Sequence, residues 1–149
     1  MKRAFAAVAA ALVLTTGTAL AFTATIALAQ SYPGDPGVGV QRGMEQLNNS
    51  GQVGTATLYN AGAGTRVVVE LHGTAPGRTQ SVRIYRGPSC DDVGTSGPAY
   101  FLSDMRNGRS SSVVKAPEST LLSGNYNVVV FSSAQAGARA TACGHLYAS

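Results

Sequence analysis

A chain of 149 residues with two cysteines, no tryptophan and 12% charged residues has material for one globular domain rather than several. Its net charge of +4 comes without any Lys/Arg block, which excludes a basic stripe of the kind nucleic acid requires. Two cysteines cannot form a structural zinc site alone, and their spacing matches no zinc motif.

Lys2 and Arg3 precede an uncharged Ala/Leu/Val/Thr run from Ala4 to Ala29, closed by Ala27-Leu28-Ala29 before Gln30. A basic start, an apolar middle and an A-x-A site describe a secretory signal peptide over residues 1–29. The run is also long enough to span a bilayer. The small residues before Gln30, with no basic flank after it, favour cleavage, and Ala19-Leu20-Ala21 offers an earlier site. Removing residues 1–29, which carry Lys2 and Arg3 and no other charge, leaves 120 residues with a net charge of +2. The expectation is an extracellular or cell-envelope protein with no membrane span after cleavage. Two cysteines in an exported chain read as a pair, Cys90 with Cys143.

Residues 30–43 hold two Pro and four Gly without an apolar period, which predicts a flexible leader before a single domain over 44–149. From Gln52 to Tyr59 the residues are those of a strand, and Asn60 to Gly64 form a turn. Arg66 to His72 is the next strand, with Val67, Val69 and Leu71 on one face and Arg66, Val68, Glu70 and His72 on the other. A turn containing Pro76 leads to Gln80–Arg86, a strand that runs into the loop from Cys90 to Pro98. Tyr100-Phe101-Leu102 is a short apolar patch. Asn107-Gly108 is a turn signal before a Ser/Val-rich strand from Arg109 to Lys115. Tyr126 to Phe131 is the strongest strand, Ala134 to Ala138 turns, and Arg139 to Tyr147 closes the domain. With no helical period over eleven residues, the pattern predicts an all-β antiparallel sandwich or flattened barrel of about seven or eight strands, Greek-key in topology.

Several separated pieces then fall in one order: Gly54-x-Ala56-x-Leu58, Val67-x-Val69-x-Leu71-x-Gly73, a strand leading to the loop cysteine Cys90, Gly124-x-Tyr126-x-Val128-x-Val130, and Ala142-Cys143-Gly144. Over residues 44–149 this resembles the copper/zinc superoxide dismutases and the related CHRD-type domains. The resemblance implies a bridge between Cys90 and Cys143. It also implies that the metal chemistry is lost. Arg83-Ile84-Tyr85 stands where the family has His-x-His, the loop Ser89–Tyr100 has no His, and neither has Asn125–Ser133. The family's substrate-guiding arginine corresponds to Ala140, one residue from Arg139.

The chain has two histidines, His72 and His145, too few for a copper site built on several imidazoles. Serines and Asp91, Asp92 and Asp104 are present, but no Gly-x-Ser-x-Gly elbow marks a nucleophile. Asp91-Asp92 lacks the alternating oxygen ligands of a calcium loop. Asn48-Asn49-Ser50 fits a glycosylation sequon. Arg83, Tyr85 and Arg86 read either as a basic-aromatic patch for an anionic or glycan partner, or as an exposed face whose arginines pair with Glu70 or Asp104. The expected function is a secreted, non-enzymatic binding or structural module without a cofactor. The alternative is a divergent dismutase-family enzyme, or another secreted enzyme on this scaffold.

Overall fold

The computed structural model describes residues 37–93 and 96–148. The signal-peptide segment, residues 30–36 of the expected leader, and Gly94 and Thr95 of the cysteine loop lie outside them. The described chain forms ten strands: β1 (Val40–Gln46), β2 (Val53–Ala61), β3 (Gly64–His72), β4 (Thr79–Gln80), β5 (Val82–Arg86), β6 (Tyr100–Phe101), β7 (Met105–Arg106), β8 (Arg109–Val114), β9 (Tyr126–Phe131) and β10 (Ala140–His145). They make one curled antiparallel sheet, a half-barrel ordered β4-β7-β8-β3-β2-β1-β10-β9-β5-β6. The expected seven or eight strands become ten because β4, β6 and β7 are fragments of two residues each. A six-residue helix, α1 (Glu118–Ser123), was not foreseen and drives Leu121 into the core with no exposure.

The expected leader ends too late, since its last four residues already belong to β1. That strand carries one buried side chain, Met44, and so has no apolar alternation to read. Its role is in the backbone. Val40–Met44 pair with β2, and Glu45 and Gln46 then pair with β10. This change of partner joins the two halves of the sheet. It requires close approach of the backbones, for a Cβ on Gly144 would stand 2.5 Å from the Gly43 carbonyl oxygen.

Period two places the core. Val67, Val69 and Leu71 of β3 face inward as expected, with Leu58 of β2, Ile84 of β5, Val128 and Val130 of β9 and Leu146 beyond β10. Each such aliphatic side chain contributes about 1.5–3 kcal/mol when fully buried. The Asn107-Gly108 turn holds both residues at positive φ, 51° and 77°, as a tight hairpin between β7 and β8 demands. Near the other margin of the core, Gln80 donates to the Phe131 carbonyl (2.8 Å) and trades amide hydrogen bonds with Gln52. The chain passes from the β1-β2-β3-β8 half to the β5-β9-β10 half between β4 and β5, returns between β6 and β7, and crosses again between β8 and β9.

Candidate functional site

Residues of alternate parity on β5, β9 and β10 project from the outer side of the second half of the sheet. There Tyr85, Val129 and Cys143 are buried outside the main core, with Leu47, Cys90, Val93, Phe131 and Ala140 packed around them. They are covered because Cys90 is bonded to Cys143, with Cα atoms 6.0 Å apart, and the bond lays the cysteine loop across the face. At Cys90–Asp92 that loop takes one 3₁₀ turn, and the Ser89 hydroxyl accepts from the Asp91 N–H (3.2 Å).

Asn127 holds the loop from beneath. It is 1% exposed, and its Nδ2 donates to the carbonyls of Gly87 (2.8 Å) and Ser89 (3.2 Å). Its Oδ1 lies 2.6 Å from Nδ1 of His145, the residue opposite it on β10. The Tyr147 hydroxyl donates to the Pro88 carbonyl (2.5 Å), a third tie on the same segment. His145 therefore orients a structural amide.

Beside this cluster a cavity of about 700 Å³ opens between the cysteine loop and the β9–β10 connection. Arg83 and Tyr85 line it from β5, Phe131 from β9, and Arg139 from the connection. Register accounts for the setting of Arg83, which stands opposite Phe101 on β6 and Val129 on β9, one pleat from Phe131. Its guanidinium carbon lies 5.6 Å from the Phe101 ring centre and 5.3 Å from that of Phe131. These are cation–π distances on both sides. The Arg83 Nε is buried with no hydrogen-bond partner. Among the described residues the only ion pair is Arg109–Glu70, on the other half of the sheet.

The three residues expected to form one patch do not do so. Arg83 and Tyr85 share the cavity, whereas Arg86 has the opposite parity and leaves it. The Arg86 Nη2 donates to the Tyr126 hydroxyl (2.6 Å), and its guanidinium lies 5.2 Å from that ring. This hydrogen bond holds Arg86 above even its ordinary pKa. Burial, helped by the neighbouring Tyr126 phenol, pushes Tyr100 up as well. The alternative pairing is also not formed, because Glu70 binds Arg109 (2.5 Å) and Asp104 stands exposed. His72 and His145 line different cavities. Asn48 of the sequon is exposed at positive φ, and its amide donates to the Ala140 carbonyl (2.8 Å) at the cavity rim.

Among the described residues no three His, Cys, Asp or Glu gather to hold a metal ion. The outer position where the resemblance implies imidazoles carries a guanidinium and a phenol, so the residues present do not fit copper or zinc. Arg139, Phe101 and Phe131 were not foreseen as site residues. The nearness of the two phenylalanines to Arg83 depends on strand register, which no local pattern encodes. No protein-family model, curated protein or solved structure matches the chain.

Proposed function

We propose that the protein is an exported, non-catalytic β-sandwich of superoxide-dismutase-like, Greek-key topology, acting as a binding module outside the cell or in its envelope. The observation that carries the binding reading is the Arg83–Tyr85 cavity beside the Cys90–Cys143 bond. The fold reading draws support from the three crossings between sheet halves, from β10 lying beside β1, and from the cysteine pair. A disulfide also suits an oxidising compartment, as the A-x-A segment before Gln30 does. A fixed cation at Arg83 raises the electrostatic cost of bringing a metal ion to that face.

Elemental analysis of the oxidised chain after copper and zinc loading, with a superoxide assay on the same sample, tests this reading. We expect no stoichiometric metal and no dismutation. One tightly held copper per chain, with activity abolished by His72→Ala or His145→Ala, would overturn it. For export, N-terminal sequencing of the recovered protein should begin at Gln30, and Met1 on a membrane-bound product would be the contrary result.

A further inference from the structure

We infer that the Arg83 cavity is a carboxylate site, taking a carboxylate borne on a ring: a uronic acid residue or a free aromatic acid. The inference rests on the binding reading above and gives it a ligand class. Charge comes first. Two arginines line the cavity, Arg83 and Arg139, and neither is neutralised by a protein partner among the described residues. One exposed carboxylate, Asp91, lies on the rim.

The setting of Arg83 narrows the ligand further. An arginine free to move would turn its donors to water or to a carboxylate of the protein. Here rings flank the guanidinium at 5.6 and 5.3 Å, and Nε is sealed from solvent without an acceptor. Only Nε is so sealed, and among the described residues no group accepts from the Nη donors, so they remain for a ligand. The planar guanidinium presents that pair as a fork, the geometry that meets a planar carboxylate with two parallel hydrogen bonds. Partial burial weakens solvent screening, which strengthens the attraction for an anion.

The walls specify what the carboxylate is carried on. Tyr85, Phe131, Val93 and Leu47 give the cavity an apolar side, and Asn48 and Gln135 give it a polar one. A strongly hydrated dianion gains nothing from the apolar side. A ring does, through stacking or C–H contact with Tyr85 and Phe131, while any hydroxyls reach the two amides. About 700 Å³ admits a ligand of that size.

Titration of the oxidised full chain by calorimetry and by amide chemical shifts tests this. Glucuronate and benzoate are the two probes, glucose and benzamide their neutral counterparts, and sulfate the competitor. We expect one or both acids to bind saturably, with shifts at Tyr85, Phe131 and Arg139, and the neutral counterparts not to bind. Preference for glucuronate, retained by tri-galacturonate, assigns an acidic saccharide; preference for benzoate assigns a free aromatic acid. Arg83→Gln should weaken the preferred acid by about tenfold or more, the loss expected for a charge-assisted fork. Arg139→Gln should weaken it by about threefold, and Arg109→Gln on the far half should leave it unchanged. Arg83→Lys, which keeps the charge and loses the fork, should fall between wild type and Arg83→Gln and answers the case in which Arg83→Gln does not fold. Absence of binding by both acids, equal binding by Arg83→Gln, or equal competition by sulfate overturns the inference. None of these outcomes involves metal uptake or dismutation, so failure here is separate from failure of the non-catalytic reading.

Discussion

Arg109 and Arg83 stand on the outer side of the same curled sheet, one on each half, and the fold treats them in opposite ways. Arg109 meets Glu70 directly across the ladder, with both side chains half or more exposed. Such a pair is solvated and contributes little to stability. Arg83 is partly buried, flanked by two phenylalanines and given no anion. Around Arg109 the outer face mixes Thr, Ser and charged side chains with Val68 and the largely exposed Val113. Around Arg83 it is a second, small apolar cluster with its own cover and its own disulfide. The first half needs only to be soluble on its outside. The second half adds a covered apolar cluster on its outside.

The largest effect should come from removing the cover. The double substitution Cys90→Ser, Cys143→Ser opens a loop of 53 residues' separation, which in the chain-entropy model costs about 4 kcal/mol. The midpoint of urea denaturation, compared with that of the oxidised chain, measures it. A loss below about 1 kcal/mol would mean that the loop is held by its other contacts and that the outer cluster does not depend on the bond.

Adjacent valines sharpen the contrast. Val128 faces the core and Val129 the outer cluster, and both have no exposure. Each truncated to Ala should cost about 2 kcal/mol, the transfer energy of the lost methyls plus a small cavity. The comparable outer position on the first half is Val113, 59% exposed on β8. Val113→Ala should change stability by less than about 0.5 kcal/mol. If Val129→Ala behaves like Val113→Ala, the outer cluster is loosely packed and the two halves are alike.

Asn127→Ala should come next, at about 1–2 kcal/mol, because it strips the donor from the Gly87 and Ser89 carbonyls and the partner from His145. Amide exchange should rise in residues 87–93 more than in the β2–β3 hairpin. Uniform loosening of both would make Asn127 a general core residue rather than the pin of the loop.

How much of this was legible follows the same division. The inner face could be read because alternation is local: Tyr126–Phe131 has the bounds its residues predict, and Val67, Val69 and Leu71 point where period two sends them. The opposite parity of Arg86 was equally local, so alternation alone separates it from Arg83 and Tyr85. Strand β1 was hidden because it is held by ladders on both sides while burying only Met44. Helix α1 was hidden because six residues are too few to show a period. The environment of Arg83 could not be read at all. Phe101, Phe131 and Arg139 reach it from three separate segments, and only the register of β5 with β6 and β9 brings the two rings to it. The cysteine pair was the exception among long-range contacts, since two cysteines permit a single pairing.

A smaller effect, of opposite sign, separates the two arginines most directly. Arg83→Met removes a guanidinium whose Nε is desolvated and unpaired, a state that costs about 1–3 kcal/mol. It also forfeits two cation–π contacts of about 0.5–1 kcal/mol each. Methionine restores part of that loss through sulfur–aromatic contact with the same rings. The balance favours the variant, and we expect Arg83→Met to be more stable than wild type by about 1 kcal/mol, seen as a higher thermal midpoint. Arg109→Met, with its exposed pair, should shift stability by less than about 0.5 kcal/mol in either direction. A substitution that stabilises the fold while removing the guanidinium fork from the cavity is the pattern of a residue kept for binding rather than for folding. If Arg83→Met instead loses more than about 1 kcal/mol, the clamp of rings around the cation outweighs its desolvation, and Arg83 belongs to the architecture.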